Sequence, residues 1–275
     1  MPGIYNMKKS NVPAKSRGVL LFAFNTEKTS YVTIAERCAR LVKHTLNLPV
    51  ALVTEPGISS TEFDIIIHVD NTLKNFKVGE QGSWRNGDRW RAYELSPYDE
   101  TLLIDSDYLV LDNNLLKLFE QDFDYRIMSW NNKPATPWNI NMGMFGLPYL
   151  WATVILFRKT VKSKMLFDLV GRIQRNYQYY KQLYHMREGN FRNDYAFTIA
   201  NNILNGYDLS FDQGIQFPML TFADITTSII VKDNLLTLKE NDRAYVMPRQ
   251  NIHVMDKGYL LSDNFGEFVE SICAK

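Results

Sequence analysis

A chain of 275 residues, 45% hydrophobic and 22% charged, has enough apolar surface for a substantial core and too little charge for a disordered chain. A net charge of +1 excludes a whole-molecule field that would steer it toward polyanions. Two cysteines, Cys38 and Cys273, exclude a disulfide framework and read as reduced packing residues of a cytosolic protein.

Residues 1–17 read as a polar N-terminal tail. Its start, Met-Pro-Gly-Ile-Tyr-Asn-Met-Lys-Lys, lacks the apolar stretch of a signal peptide, and no later run reaches the roughly 18 apolar residues of a membrane span. A cytoplasmic location is therefore expected. No composition break or repeat divides the rest, so 18–275 is expected to form one domain, with a first half over 18–125 and a second over 126–275.

Gly18 to Asn25 reads as a first buried strand, and Thr29 or Ser30 as the cap of a helix running to Asn47. Leu48–Val53 and Asp64–Val69 read as strands, Arg89–Leu95 as a helix, and Thr101–Ile104 as a further strand. Continuous apolar runs of this kind suit a parallel sheet covered on both faces, so an α/β fold with a Rossmann-like, mostly parallel central sheet is expected. Beyond it, Trp151–Phe157 predicts a strand, 164–186 one long helix, and 193–205 another. Ile229–Val231 and Ala244–Val246 look like short extended segments. The stretch 131–138, rich in Asn and Pro, predicts a mobile flap.

The run 101–104 ends on Asp105-Ser106-Asp107. Ligands in open α/β sheets bind at the carboxyl ends of the strands. Two carboxylates there leave most of an octahedral shell to water and phosphate oxygens, which is how Mg²⁺ or Mn²⁺ is held with nucleotides. Alone, such a triplet is as readily a solvated turn.

The stretch RWRAYELSPYDETLLIDSDYLVLDNNLLKLF resembles the signature of GT-A-fold glycosyltransferases, especially the glycogenin and bacterial galactosyltransferase group. The resemblance implies a retaining transferase using a nucleoside-diphosphate sugar, typically a UDP-sugar, with Mn²⁺ or Mg²⁺. It implies that Asp105 and Asp107 bind the metal, with His253 of Asn251-Ile-His-Val as third ligand. Arg89, standing for the family's Lys, and Lys257 would then meet the donor diphosphate. Ala23, Asn25 and Tyr31 would border the nucleotide with Ser106, Tyr31 stacking on the base, and Asp194 would lie near sugar and acceptor. The chain departs from the family at Ala152-Thr153-Val154, where Asn-Ser-Gly is usual, and in the closer spacing of Lys257 to His253. His44, His68 and His185 are read as structural. So are the tryptophans, Trp84, Trp90, Trp130, Trp138 and Trp151.

Residues 158–192 carry nine basic groups (Arg158, Lys159, Lys162, Lys164, Arg172, Arg175, Lys181, Arg187 and Arg192) against Asp168 and Glu188, with tyrosines interleaved. Such a helix is either a solvated face or a track for a nucleic-acid acceptor. On the second reading a hydroxymethylated base in phage-type DNA would be the acceptor, extruded from its stack. Two other readings stand beside the transferase. A nucleotidyltransferase would usually show a Gly-rich basic loop after the first strand, and Ala23-Phe-Asn-Thr-Glu-Lys offers none. A non-catalytic nucleic-acid-binding protein would leave Asp105, Asp107 and His253 idle.

Overall fold

The structure, a computed structural model, describes residues 15–70, 86–133, 136–137, 141–142, 146–186, 191–208, 214–215 and 217–274. Most of the N-terminal tail, Trp84, Trp138 and Arg187 lie outside the described residues.

Strand β1 (Arg17–Phe22) leads to helix α1 (Tyr31–Leu46), then β2 (Val50–Thr54) and β3 (Ile65–His68). A 3-10 turn (Asn86–Arg91) continues into the short α2 (Ala92–Leu95) before β4 (Glu100–Ile104) and β5 (Tyr108–Leu109). After α3 (Leu116–Phe119) come β6 (Tyr125–Met128), β7 (Asn131–Lys133), β8 (Thr136–Pro137), β9 (Asn141–Met142), β10 (Leu147–Pro148) and β11 (Trp151–Arg158). Three helices follow, α4 (Val161–Arg175), α5 (Tyr177–Leu183) and α6 (Asn193–Leu204). The chain closes with β12 (Met219–Phe222), β13 (Thr226–Lys232), β14 (Leu235–Glu240), β15 (Arg243–Pro248), β16 (Ile252–Val254), α7 (Lys257–Leu261) and α8 (Asp263–Cys273).

The central sheet has the order β3-β2-β1-β4-β11-β6. Only β11 runs against the others, so the sheet is mostly parallel, as expected. Every residue of β2 and β4 is buried, which accounts for their unbroken apolar runs. At the edge, β3 leaves Ile65 exposed. A second sheet, β5-β16-β12-β7-β8, and an antiparallel β13-β14-β15 meander complete the strands. α1 joins the two cores. Ala35, Cys38 and Val42 face the central sheet, while Ile34 and Leu41 pack with Phe222, Val254 and Phe265.

Four local expectations are corrected. Ser30 stands at the N-cap of α1, as one of the two expected positions, but its side chain makes no capping bond: Asn25 Oδ1 instead accepts from the Val32 amide at 3.0 Å. The long helix over 164–186 starts earlier, at Val161 behind its Thr160 cap, and breaks at Asn176. There the Asn side-chain amide donates to the Arg172 carbonyl at 2.9 Å, the competition with the backbone that makes Asn a poor interior residue. The segments at 229–231 and 244–246 are the middles of longer strands, with β14 between them. The stretch 131–138 opens not as a flap but as β7, paired with β12.

No helix among the described residues is long and apolar enough to cross a membrane. Cys38 is fully buried against the Tyr108 carbonyl, and burial pushes its thiol up, in keeping with a packing role.

Candidate metal and donor site

The apolar run of β4 delivers Asp105 to the carboxyl end of the central sheet. The Asp105 amide is fixed by the Thr153 carbonyl at 2.9 Å, and its own carbonyl accepts from Tyr108 N at 3.1 Å, closing a tight turn through Ser106 and Asp107. Beyond that turn the chain enters β5 in the other sheet. There β5 pairs with β16 so that His253 stands opposite Tyr108, and the Val254 amide donates to the Asp107 carbonyl at 3.0 Å. Backbone register thus brings residues far apart in sequence to one point.

One ligand atom from each of Asp105, Asp107 and His253 lies within 4.8 Å of the others. His253 Nε2 is 3.3 Å from Asp107 Oδ2, and the Lys257 ammonium pairs with that same oxygen. Lys257 opens α7, where Asp256 caps the helix by accepting from Tyr259 N at 3.1 Å. Two hard carboxylates and one imidazole form a donor set suited to Mn²⁺ or Mg²⁺, the imidazole favouring Mn²⁺. Coordination bonds of about 2.1 Å reach across such a group with small side-chain adjustments. The residues fit a divalent cation.

The two carboxylates differ. Burial pushes Asp107 up, but the charges of Lys257 and His253 outweigh it and hold the carboxyl far below the usual range. For Asp105 burial prevails and raises it, with Asp107 and Asp194 adding to the effect against Arg89 and His253. A cation between them would favour ionisation of both.

Arg89, on the 3-10 turn, is 1% exposed. Its Nη1 pairs with Asp105 Oδ1, and its Nη2 donates to the Ala152 carbonyl. On the other side the Ala152 amide donates to Asp194 Oδ1 at 2.8 Å, and Arg192 Nη2 reaches Asp194 Oδ2 at 3.0 Å. Pairing between β11 and β6 is irregular from Trp151 to Ile155, which frees the Ala152 backbone for these partners. Ala152 is therefore a backbone bridge between Asp105 and Asp194.

Tyr31 borders the site at the start of α1. Burial raises its hydroxyl, Lys257 opposes and Asp107 adds. Asn25 lies behind it, with its Oδ1 engaged on α1 and its amide donating to Glu55 at 3.0 Å. Ala23 and Ser106 are buried. Beside Asp194, Tyr149 stands edge-on to Trp151 and to Tyr195, with centroids 4.8 and 5.7 Å apart. Trp90 lies under the Arg175 guanidinium, and Trp130 is exposed.

Much of the basic stretch is engaged internally. Arg158 binds Glu100 and three backbone carbonyls, Lys159 the Tyr93 carbonyl, Lys164 Asp168, and Arg192 Asp194. Sequence reasoning missed Arg192, the Ala152 bridge, and Thr221 and Asn131 behind His253. Arg192 alone left a trace, two residues from Asp194.

No family model and no curated protein matches the chain. Among solved structures it is similar to the glycosyltransferase GlyE of Streptococcus pneumoniae TIGR4, at 16% identity over 72% of this chain and 44% of that one, with a TM-score of 0.39. The chain therefore spans less than half of GlyE. It is also similar to mouse xyloside xylosyltransferase 1, at 13% identity over 68% of this chain and 82% of that one, with a TM-score of 0.42. A third likeness, at 14% identity over 92% of this chain and 95% of that one and a TM-score of 0.49, is to the galactosyltransferase LgtC solved with donor and acceptor sugar analogs.

Proposed function

We propose that the chain is a metal-dependent glycosyltransferase of the GT-A kind. It takes a sugar from a nucleoside-diphosphate sugar, a UDP-sugar, and moves it to an acceptor hydroxyl. The observation that carries this reading is the convergence of Asp105, Asp107 and His253 at the carboxyl end of a buried strand, with Lys257 beside them.

Asp105, Asp107 and His253 hold the cation, Mn²⁺ or Mg²⁺, which when bound offsets the charge of the departing diphosphate. Lys257 adds a second positive charge on that side. Arg89, expected from sequence to meet the donor diphosphate, is buried and engaged on Asp105 and the Ala152 carbonyl, so it serves this centre by aiming Asp105. Tyr31 faces the nucleotide base, with Ala23, Asn25 and Ser106 shaping the wall around it. Asp194, across the Ala152 bridge, orients the sugar or the acceptor. The first half of the chain, 18–125, supplies the nucleotide side, and 126–275 the acceptor side.

The anomeric configuration is retained. Either the acceptor oxygen attacks from the face the diphosphate leaves, its proton passing to the leaving phosphate oxygen as the bond from the sugar to the diphosphate breaks, or a double displacement gives the same outcome. For the acceptor, a hydroxymethylated base in phage-type DNA is supported by Arg172 and Tyr179, exposed on the α4–α5 face. The engagement of Arg158 and Lys159 within the fold narrows that support. Two thiols outside any disulfide, the buried Cys38 and the partly exposed Cys273, fit a reducing cytoplasm.

Thermal melts with UDP, Mn²⁺, both together, and duplex DNA test the reading. Stabilisation by UDP that requires Mn²⁺ supports it. A shift with DNA alone, and none with UDP and Mn²⁺, overturns it in favour of a nucleic-acid-binding protein. Hydrolysis of a panel of UDP-sugars then identifies the sugar.

A further inference from the structure

Two strands of the second sheet place buried polar side chains behind His253. β12 runs parallel to β16 with Thr221 opposite His253, and pairs on its other side with β7, which carries Asn131. Thr221 Oγ1 donates to Asn131 Oδ1 at 2.7 Å and lies 3.3 Å from His253 Nδ1. Thr221 and Asn131 are 0% exposed, so water offers no substitute partner, and in this arrangement the Asn131 Nδ2 group has no hydrogen-bond partner.

A hydroxyl has one proton to give. With that proton on Asn131 Oδ1, the Thr221 oxygen meets His253 Nδ1 only as an acceptor, and the imidazole proton sits on Nδ1. The neutral ring then carries its free lone pair on Nε2, the nitrogen turned toward Asp107. In the chain without metal the Lys257 ammonium, paired with the same Asp107 oxygen, offsets the repulsion between that lone pair and the carboxylate. Reversing the Asn131 amide would undo the arrangement. Its N–H would donate to Thr221, the hydroxyl proton would turn to Nδ1, and the ring proton would move to Nε2, where it blocks coordination.

We propose that Asn131 and Thr221 are positioning residues that lock His253 in the Nδ1–H tautomer and so hold Nε2 as the ligand atom for the cation. The ligand half of this inference rests on the proposed metal site, while the tautomer half stands without any metal. Partners behind a ligating histidine commonly set its affinity by 10–100-fold.

The experiment combines ¹⁵N-histidine spectra of the metal-free chain with Mn²⁺ titration followed by electron paramagnetic resonance. Parent, T221V, T221S and, for assignment, H253Q are compared. Valine keeps the shape of threonine and suits a strand, while serine keeps the hydroxyl. The expected result is an Nδ1–H ring in parent and T221S, mixed tautomers in T221V, and Mn²⁺ affinity about 10–100-fold weaker in T221V alone. An Nε2–H ring in the parent overturns the proposal, as does a T221V spectrum and affinity equal to the parent's. A parent that shows the Nδ1–H ring, lost in T221V, yet binds no Mn²⁺ overturns the metal reading and the ligand role with it, and upholds the tautomer lock.

Discussion

Arg89 lies beneath Asp105, its buried guanidinium divided between that carboxylate and the Ala152 carbonyl. An R89M variant, similar in length but without charge, should lose about 1–3 kcal/mol of stability, because the partly exposed Asp105 carboxylate and the Ala152 carbonyl both lose their donor. It should also weaken Mn²⁺ binding through the misplaced Asp105. Denaturant unfolding and Mn²⁺ titration check the two effects. R89M with parental stability would mean that water reaches Asp105 and that the pairing is incidental.

Asp107 takes three partners at one end: His253, Lys257 and, on the proposed reading, the cation. D107N keeps the shape and removes the charge. Donor cleavage should fall about 100-fold or more, the scale of losing several kcal/mol of charge stabilisation in the transition state. Calorimetric Mn²⁺ binding should vanish in parallel. Turnover that survives in D107N would leave the centre without its proposed role.

The Asp pair was legible because an apolar run that stops on carboxylates at a strand end is an unusual local pattern, and β4 is buried throughout. His253 was legible by resemblance, but its location was not. It lies within β16, and only the pairing of β16 with β5 carries it to Asp107. Thr221 and Asn131 stayed hidden for a related reason. Strands of three or four residues carry too little periodicity to be read, and long-range parallel pairing leaves no mark in sequence spacing. The Ala152 bridge uses backbone atoms, which every residue type has. Charge counted along the basic stretch does not tell whether Arg158 faces solvent or Glu100.

Asp194 has two separable duties. Its Oδ1 accepts from the Ala152 amide, which an asparagine oxygen can also do, and its charge faces Arg192 and the site. D194N should therefore fold nearly as stably as the parent, whereas D194A should lose about 1–3 kcal/mol by leaving a backbone donor unsatisfied. If the charge orients the sugar or acceptor, both variants lose turnover while Mn²⁺-dependent UDP binding persists. Urea melts set beside transfer rates separate the two duties, and full activity in D194N would confine Asp194 to the scaffold.

Glu100 tests the other end of β4. Its carboxylate is gripped by Arg17 and Arg158, each Nε at 2.7 Å, where the three chain segments meet. Burial alone would raise the carboxyl, but the bonds to Arg158 and then Arg17 outweigh it and hold the value below its usual 4.5. A carboxyl depressed on folding contributes stability that is complete above the unfolded value and is lost as pH falls through the folded one. The melting temperature should therefore drop below about pH 4.5, and the drop should be smaller in E100Q, which has no proton to take up. E100Q should start from a lower melting temperature at neutral pH, because two arginines lose their shared anion. Equal acid sensitivity in E100Q and parent would place the acid-labile carboxylates elsewhere in the chain.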